Sequence, residues 1–287
     1  MLAVVGTIPD PAVPVLDGPA LAEGGTLTVG GRPVPPDRGT PALLAAAAAA
    51  CAFLGIEPPH ALLVGDEGLG VGSRALYRHL TEVLPVRAYS TLAFHYLQPD
   101  VDWHNKVLLA VLAMRERPAL VADAGFMYAA KMSGEAAQYA LFTPDAGELA
   151  FLADEDAPHP FYTRGFILQE EGRAPELIRR AYEHDNAAAC LLVKGCTDRI
   201  ADRTGVLAEV NEPSEEAMEA MGGTGDTVTG MACALMESGL DARAAARVAA
   251  QANRYAGQAA RPTPASQIGE LIAHIPAALA RALEKPA

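Results

Sequence analysis

The chain has 287 residues, 51% hydrophobic and 20% charged, which is enough apolar material for a core and too little charge for a disordered polymer. A formal net charge of -13 at pH 7 makes nucleic acid and membrane poor partners, so an anionic ligand must find local positive charge or backbone amides. Four cysteines (Cys51, Cys190, Cys196, Cys233) without zinc-type spacing, no basic leader and no apolar run of ~20 residues are expected of a cytoplasmic protein with reduced thiols.

Short aliphatic runs alternate with longer helix-like stretches, the pattern of a mostly parallel sheet with helices on both faces. The segment from Pro9 to Pro36, rich in proline and glycine, reads as irregular. Strands are expected at Ala61–Val64, Val86–Ser90, Ala119–Ala122, Tyr139–Phe142 and Ala189–Val193. Helices are expected at Pro41–Leu54, Ser73–Leu84, Trp103–Arg115, Phe126–Ser133 and Pro175–Glu183, with an irregular excursion over Asp154–Gly172. After Gly222 only helices follow, over Thr224–Ser238, Ala242–Gly257 and Ser266–Leu283. No internal repeat or linker divides residues 1–287, so one three-layer α/β domain is expected.

The sharpest local signal is Met221-Gly222-Gly223-Thr224-Gly225-Asp226, placed just before a helix. Dense glycine lets consecutive amides converge, and at a helix N-terminus these amides form an anion hole. Asp226 beside that hole could take a proton from a hydroxyl during phosphoryl transfer. A helix cap with a first-turn acid is the competing account.

This stretch and its surroundings resemble the dehydratases that repair hydrated NAD(P)H, a branch of the ribokinase-like superfamily. The resemblance runs from about Gly39 to Leu283 and is strongest after Pro118. It takes in Leu191-Leu192-Val193-Lys194-Gly195, Asn211, the Gly222–Asp226 loop with Thr229-Gly230, and Thr263-Pro264-Ala265-Ser266. It implies a ribokinase-like fold and an adenine nucleotide, ATP or ADP, held by Lys194, Gly195, Thr197, Gly222, Gly223, Thr224, Gly225 and Asn253, with Asp226 catalytic. For Asn253 a solvated helix face is the alternative. Gly39 and Thr40, Asp123 and Asp145 are the implied substrate contacts, and Arg38 either binds an anionic group on the substrate or decorates the same helix start.

The departures from the family pattern are informative. Phe142-Thr143-Pro144-Asp145-Ala146-Gly147-Glu148 has Asp145 where the dehydratases carry a histidine that touches substrate, and Asp145 with Glu148 resembles the Mg²⁺-managing Asn-x-x-Glu of superfamily kinases. The competing account is a capped turn. Asp123-Ala124-Gly125 keeps one of two family carboxylates, so Asp123 is a candidate substrate or metal contact, with a plain helix N-cap as the competing account. The family's glycine loop aligns best with Tyr96–Asp100, which leaves Gly65–Ser73 either a substrate contact or a plain turn. His95, His104 and His159 have no spacing that demands chemistry, and Cys196, next to Lys194-Gly195, reads as a small buried residue, with a place lining the nucleotide site as the alternative.

Two enzymatic readings follow from the resemblance: a kinase of a sugar or vitamin-precursor hydroxyl, to which Gly195-Cys196-Thr197-Asp198 adds a likeness to the hydroxyethylthiazole kinases, and an ATP- or ADP-dependent dehydratase. Both begin with phosphorylation of a hydroxyl, and both imply a small-molecule substrate with Mg²⁺. A nucleotide-binding relative without catalysis is the third reading, and homo-oligomer formation is left open.

Overall fold

The computed structural model describes residues 1–23, 25–155 and 171–284. Its strands are β1 (Leu2–Ile8), β2 (Leu16–Glu23), β3 (Thr26–Val29), β4 (Arg32–Val34), β5 (His60–Gly65), β6 (Thr91–His95), β7 (Ala119–Ala122), β8 (Leu141–Phe142), β9 (Cys190–Val193), β10 (Asp198–Asp202) and β11 (Gly205–Val210). They form one sheet in the order β11-β10-β9-β8-β7-β6-β1-β5-β2-β3-β4. From β9 to β5 every neighbour is parallel, while β10 and β11 at one edge and β2, β3 and β4 at the other run antiparallel.

β1 lies in the middle of the sheet, every residue of it buried, and its side chains divide by alternation. Leu2 and Val4 join one core; Ala3 and Val5 join the other. The first core is covered by α1 (Thr40–Leu54), α8 (Thr224–Glu237), α9 (Ala242–Ala260), α10 (Ile268–Ile272) and α11 (Ile275–Glu284). The second lies under α2 (Val71–Val83), α3 (Val101–Leu112), α4 (Gly125–Met132), α5 (Ala146–Ala153) and α6 (Ala174–Glu183); the short α7 (Ala217–Ala220) precedes the glycine loop. The result is the three-layer arrangement expected from the sequence. Among the described residues no helix is long and apolar enough to cross a membrane.

Alanine-rich α1 is buried along most of its length because it packs against α8 with small side chains on both sides. At Gly230 the approach is closest: a Cβ there would lie far inside contact distance of the Leu43 carbonyl oxygen and 3.1 Å from the Ala47 nitrogen. This close crossing seats the N-termini of α1 and α8 side by side.

Several boundaries differ from the sequence reading. The strand expected at Val86–Ser90 is β6, at Thr91–His95, because Pro85 sits in a 3-10 turn over Leu84–Val86. The segment read as irregular from Pro9 to Pro36 carries β2, β3 and β4, whose turns use its glycines, with Gly30 and Gly31 both at positive φ. β1 and the β10–β11 hairpin were not anticipated, and the last expected helix is broken between Ile272 and Ile275. Most of the Asp154–Gly172 excursion lies outside the described residues.

Candidate active site

Three helix N-termini meet at the carboxyl edge of the parallel strands, around a cleft of about 860 Å³. Gly39 precedes α1, Ala124 precedes α4 and Gly223 precedes α8, and none of these positions supplies a side-chain cap. The first amides of a helix have no intrahelical acceptor, so these ends offer donors and the positive ends of three dipoles to a ligand. An anion can therefore be held by a chain whose net charge is -13. Gly223 sits at φ 100, which only glycine adopts without strain, and its missing side chain leaves room for Ile268 and Ala42.

Asp226 stands in the first turn of α8 and borders the cleft. Its Oδ2 accepts the Gly39 amide at 2.7 Å, and its Oδ1 lies 3.1 Å from Nε2 of His95. Burial works to raise its pKa, but the His95 ring, the Lys194 charge and the Gly39 amide outweigh burial and hold the carboxyl below the usual aspartate range. Asp226 is thus an anion at neutral pH, able to accept a proton.

Behind it lies a buried polar network. Nδ1 of His95 is 3.0 Å from Thr40 Oγ1, and Thr40 is fully buried. Gly6 makes this possible, since a Cβ there would stand 2.5 Å from Thr40 and from the His95 carbonyl. Asp123, 1% exposed, has both oxygens 2.9 Å from Lys194 Nζ and also accepts from Thr229 Oγ1 at 2.6 Å and from the Ala124 amide at 2.8 Å. Burial opposes the Lys194 charge, yet Asp123 and Glu148 together keep its pKa above the ordinary lysine range. The Lys194 side chain lies along Gly225, 3.5 Å from where a Cβ would be. His95, Asp123 and Asp226 each place a ligand-type atom within 4.8 Å of the others.

The Lys194-Gly195 turn is clamped by Arg254, a buried residue that sequence reasoning missed. Its guanidinium donates to the Gly195 carbonyl at 3.1 Å, the Cys196 carbonyl at 2.9 Å, the Asn211 carbonyl at 3.1 Å and Asp198 Oδ2 at 3.0 Å. Thr197 lies in this turn. Asn253 is not on a solvated helix face: it is buried, its Oδ1 accepts from Thr227 Oγ1 at 2.7 Å, and its Nδ2 donates to the Thr224 carbonyl at 3.2 Å, so it braces the glycine loop from beneath. Cys196 is exposed rather than buried, and its thiol donates to Glu219.

Asp145 and Glu148 form a reciprocal capping box at the start of α5, each carboxylate accepting the other's amide at 2.8 Å. Both also border the cleft. Desolvation, then the neighbouring Asp145 and Asp123 charges, push Glu148 up to about 8. One oxygen of each carboxylate is left over from the box, and this crowding of acids fits a hard divalent cation such as Mg²⁺.

The Gly65–Ser73 loop borders the cleft, but the amides of Gly68, Gly70 and Ser73 and the Ser73 hydroxyl all donate to Asp66. Three of its amides are therefore taken by its own carboxylate, and the loop forms one wall of the cleft. At Gly125 the family's second carboxylate is sterically excluded: a Cβ there would be 2.8 Å from the Leu97 carbonyl. Tyr96, at φ 52, and Ala124, at φ 51, hold strained backbone on the two strand ends that flank the site. Arg38, exposed, lines the rim beside Gly222.

Of the histidines, His104 is a satisfied core residue, 2.8 Å from Tyr139 Oη and 3.0 Å from Ser133 Oγ, with burial lowering its pKa to about 4. His159 lies outside the described residues. His95 is the one that sequence reasoning undervalued. It ends β6, and had that strand been placed, its position at the carboxyl edge would have marked it.

Residues 98–276, more than half of the chain, match the family model described as NAD(P)H-hydrate dehydratase. An uncharacterized protein of Methanocaldococcus jannaschii is 36% identical over 78% of this chain and 92% of its own length. An ADP-dependent (S)-NAD(P)H-hydrate dehydratase of Cenarchaeum symbiosum is 32% identical over 54% of this chain and 48% of its own length. A bifunctional NAD(P)H-hydrate repair enzyme of Pyrobaculum aerophilum is 32% identical over 49% of this chain and only 25% of its own. Thus the chain aligns with less than half the length of both dehydratase relatives. Among solved structures, a ribokinase-like superfamily protein of Enterococcus faecalis superposes with a TM-score of 0.59 at 13% identity, covering 98% of this chain and 87% of that one. The fold is accordingly ribokinase-like, and the chain belongs to the NAD(P)H-hydrate dehydratase family.

Proposed function

We propose that this protein transfers a phosphoryl group from ATP or ADP to a hydroxyl of a small molecule bound in the cleft, with Asp226 as the general base. The observation that carries the reading is an aspartate kept anionic at the uncapped N-terminus of α8, facing a cleft where three helix ends converge. In this reading the substrate hydroxyl gives its proton to Asp226 as its oxygen attacks the terminal phosphorus, and the bond from that phosphorus to the bridging oxygen breaks, releasing ADP from ATP or AMP from ADP. The amides of Gly222, Gly223, Thr224 and Gly225 stabilise the charge that develops on the phosphoryl oxygens. Lys194 adds a fixed positive charge, and the turn of Lys194, Gly195 and Thr197, clamped by Arg254, holds the nucleotide, with Asn253 acting from below the loop.

Substrate lies against Gly39, Thr40 and the Asp123 side of the cleft, and Arg38 at the rim suits an anionic substituent. Glu148 and Asp145 would hold Mg²⁺ through their remaining oxygens and water; the ion supplies charge neutralisation at the phosphates. The continuous eleven-stranded sheet supports one domain spanning the chain.

Retention of the phosphate ester, as in a kinase, is our first reading, because the position that the resemblance gives to a substrate-contacting histidine is Asp145, committed to a capping box. Elimination of phosphate to dehydrate hydrated NAD(P)H is the second, favoured by the family match. One assay separates them. The purified protein is incubated with Mg²⁺, ATP or ADP, and in turn hydrated NADH, sugars and vitamin precursors, while NADH absorbance and ³¹P spectra are followed. A stable phosphate ester is the expected product. Nucleotide-dependent recovery of NADH would select the dehydratase, and no consumption of nucleotide with any substrate would overturn the phosphoryl-transfer reading.

A further inference from the structure

His95 is 1% exposed, and its Nε2 is a buried polar atom without an aligned hydrogen bond, although Asp226 Oδ1 is only 3.1 Å away. Orphaned buried donors cost stability and call for an explanation, which functional sites often provide. On the other side of the ring, Nδ1 faces the Thr40 hydroxyl at 3.0 Å. If that hydroxyl donates to Nδ1, the imidazole is left with its proton on Nε2, aimed at Asp226.

We propose that His95 is a positioning residue for Asp226: fixed by Thr40, it presents Nε2–H to Oδ1 while the Gly39 amide holds Oδ2, so that two donors from different elements set the plane of the base. This inference rests on Asp226 being the base of the phosphoryl-transfer reading. The need for such a clamp is local. Asp226 stands in the first turn of a glycine-rich helix start that supplies no side-chain cap, and the partners of its two oxygens, Gly39 and His95, both come from outside α8. The misaligned contact tightens when the carboxylate turns toward a bound hydroxyl, as catalytic hydrogen bonds do on passing from the free enzyme to the complex.

A cation held by His95, Asp123 and Asp226 is the competing account of the same cluster. The bonding of Asp123 argues against it, because Lys194, Thr229 and the Ala124 amide already take its oxygens. The Lys194 ammonium supplies the positive charge that such an ion would bring. The charged and titratable groups around the ring are Asp226 from α8, Asp123 from the end of β7, Lys194 from the end of β9, and Tyr96, whose ring packs against His95 with centroids 4.3 Å apart.

The test pairs kinetics with spectroscopy. His95→Leu should lower kcat by ~10², the scale on which a misplaced reacting group loses rate, with the nucleotide KM changed by less than about threefold. His95→Gln, which keeps a donor, should recover about tenfold of that loss, and Thr40→Val should reproduce part of it. Equal kcat in His95→Leu and wild type, or no recovery by glutamine over leucine in variants that melt like wild type, would overturn the proposal. Independently of any turnover, the Nε2–H proton of His95 in the ¹⁵N-histidine spectrum should lie downfield and move upfield in Asp226→Asn, because a hydrogen bond to a charged acceptor is the stronger one. If the wild type turns over no substrate, the functional reading fails while this spectrum still decides the inference. An Nε2 signal indifferent to Asp226→Asn would overturn it.

Discussion

Gly230→Ala adds one methyl group where α8 crosses α1. That methyl would meet the Leu43 carbonyl oxygen and the Ala47 nitrogen, backbone atoms of a buried helix that cannot rotate aside, so the helices must part by roughly 1 Å. Overpacking of this kind costs ~1–3 kcal/mol, and a contact with backbone belongs at the upper end. Alanine returns about 1 kcal/mol of helix propensity. The net is a loss of roughly 2 kcal/mol, which lowers Tm by about 3 °C in a chain of 287 residues. Because Gly230 is one turn from Asp226, the same displacement separates the Gly39 amide from Oδ2 and should lower turnover by ~10². Gly269→Ala in α10 is the control: its Cβ meets nothing within 4 Å, so the propensity gain should leave that variant as stable as wild type or more so. Differential scanning calorimetry with a turnover assay checks both. A Gly230→Ala variant that melts with wild type and stays fully active would refute the reasoning.

Other expectations follow from the site. Lys194→Met leaves Asp123 buried without its cation and should destabilise the fold by ~3–5 kcal/mol in urea titrations; adding Asp123→Asn should recover much of that loss, showing that the pair acts as a unit. Glu148 titrates near 8 in the folded chain and near 4.5 when unfolded, so between these values the native state holds the extra proton and stability falls as pH rises. That slope should disappear in Glu148→Gln and weaken in millimolar Mg²⁺, as read from melting temperature against pH. His104 titrates near 4 when folded and near 6.5 when unfolded, so stability falls as pH drops through that window, and the wild-type minus His104→Gln difference should carry this dependence. Asp66→Ala frees three amides of the Gly65–Ser73 loop and should increase their hydrogen exchange without changing nucleotide affinity more than a few-fold.

The fold was legible where periodicity and glycine carry it. The buried strands β7 and β9, the first two helices after Gly222, and the Gly222–Asp226 loop stand at or near their expected positions, because apolar runs between turn residues and a glycine-dense helix start have few other structural meanings. β6 was missed by five residues since Val86 and Arg87 look as strand-like as Thr91 and Leu92, and only the turn around Pro85 decides between them. That slip hid His95, whose place in the site comes from a strand end and from Gly6 and Thr40 far away in sequence. Arg254 and the Lys194–Asp123 pair were equally out of reach, because partners 56 and 71 positions apart leave no spacing to read. Asp145 and Glu148 were legible as an i,i+3 pair, and the capping box and the crowding of carboxylates at the cleft are both written in that spacing.

Asp226→Asn bears most directly on the central claim. The amide keeps the shape of the carboxylate and can still accept the Gly39 N–H, but it cannot take up the substrate proton. In single-turnover and steady-state assays with Mg²⁺ and ATP or ADP, turnover should fall by ~10²–10⁴ while nucleotide affinity from calorimetry stays within a few-fold of wild type. A variant that turns over at the wild-type rate would make Asp226 a helix-start acid with no part in proton transfer, and the proposed function would fall with it.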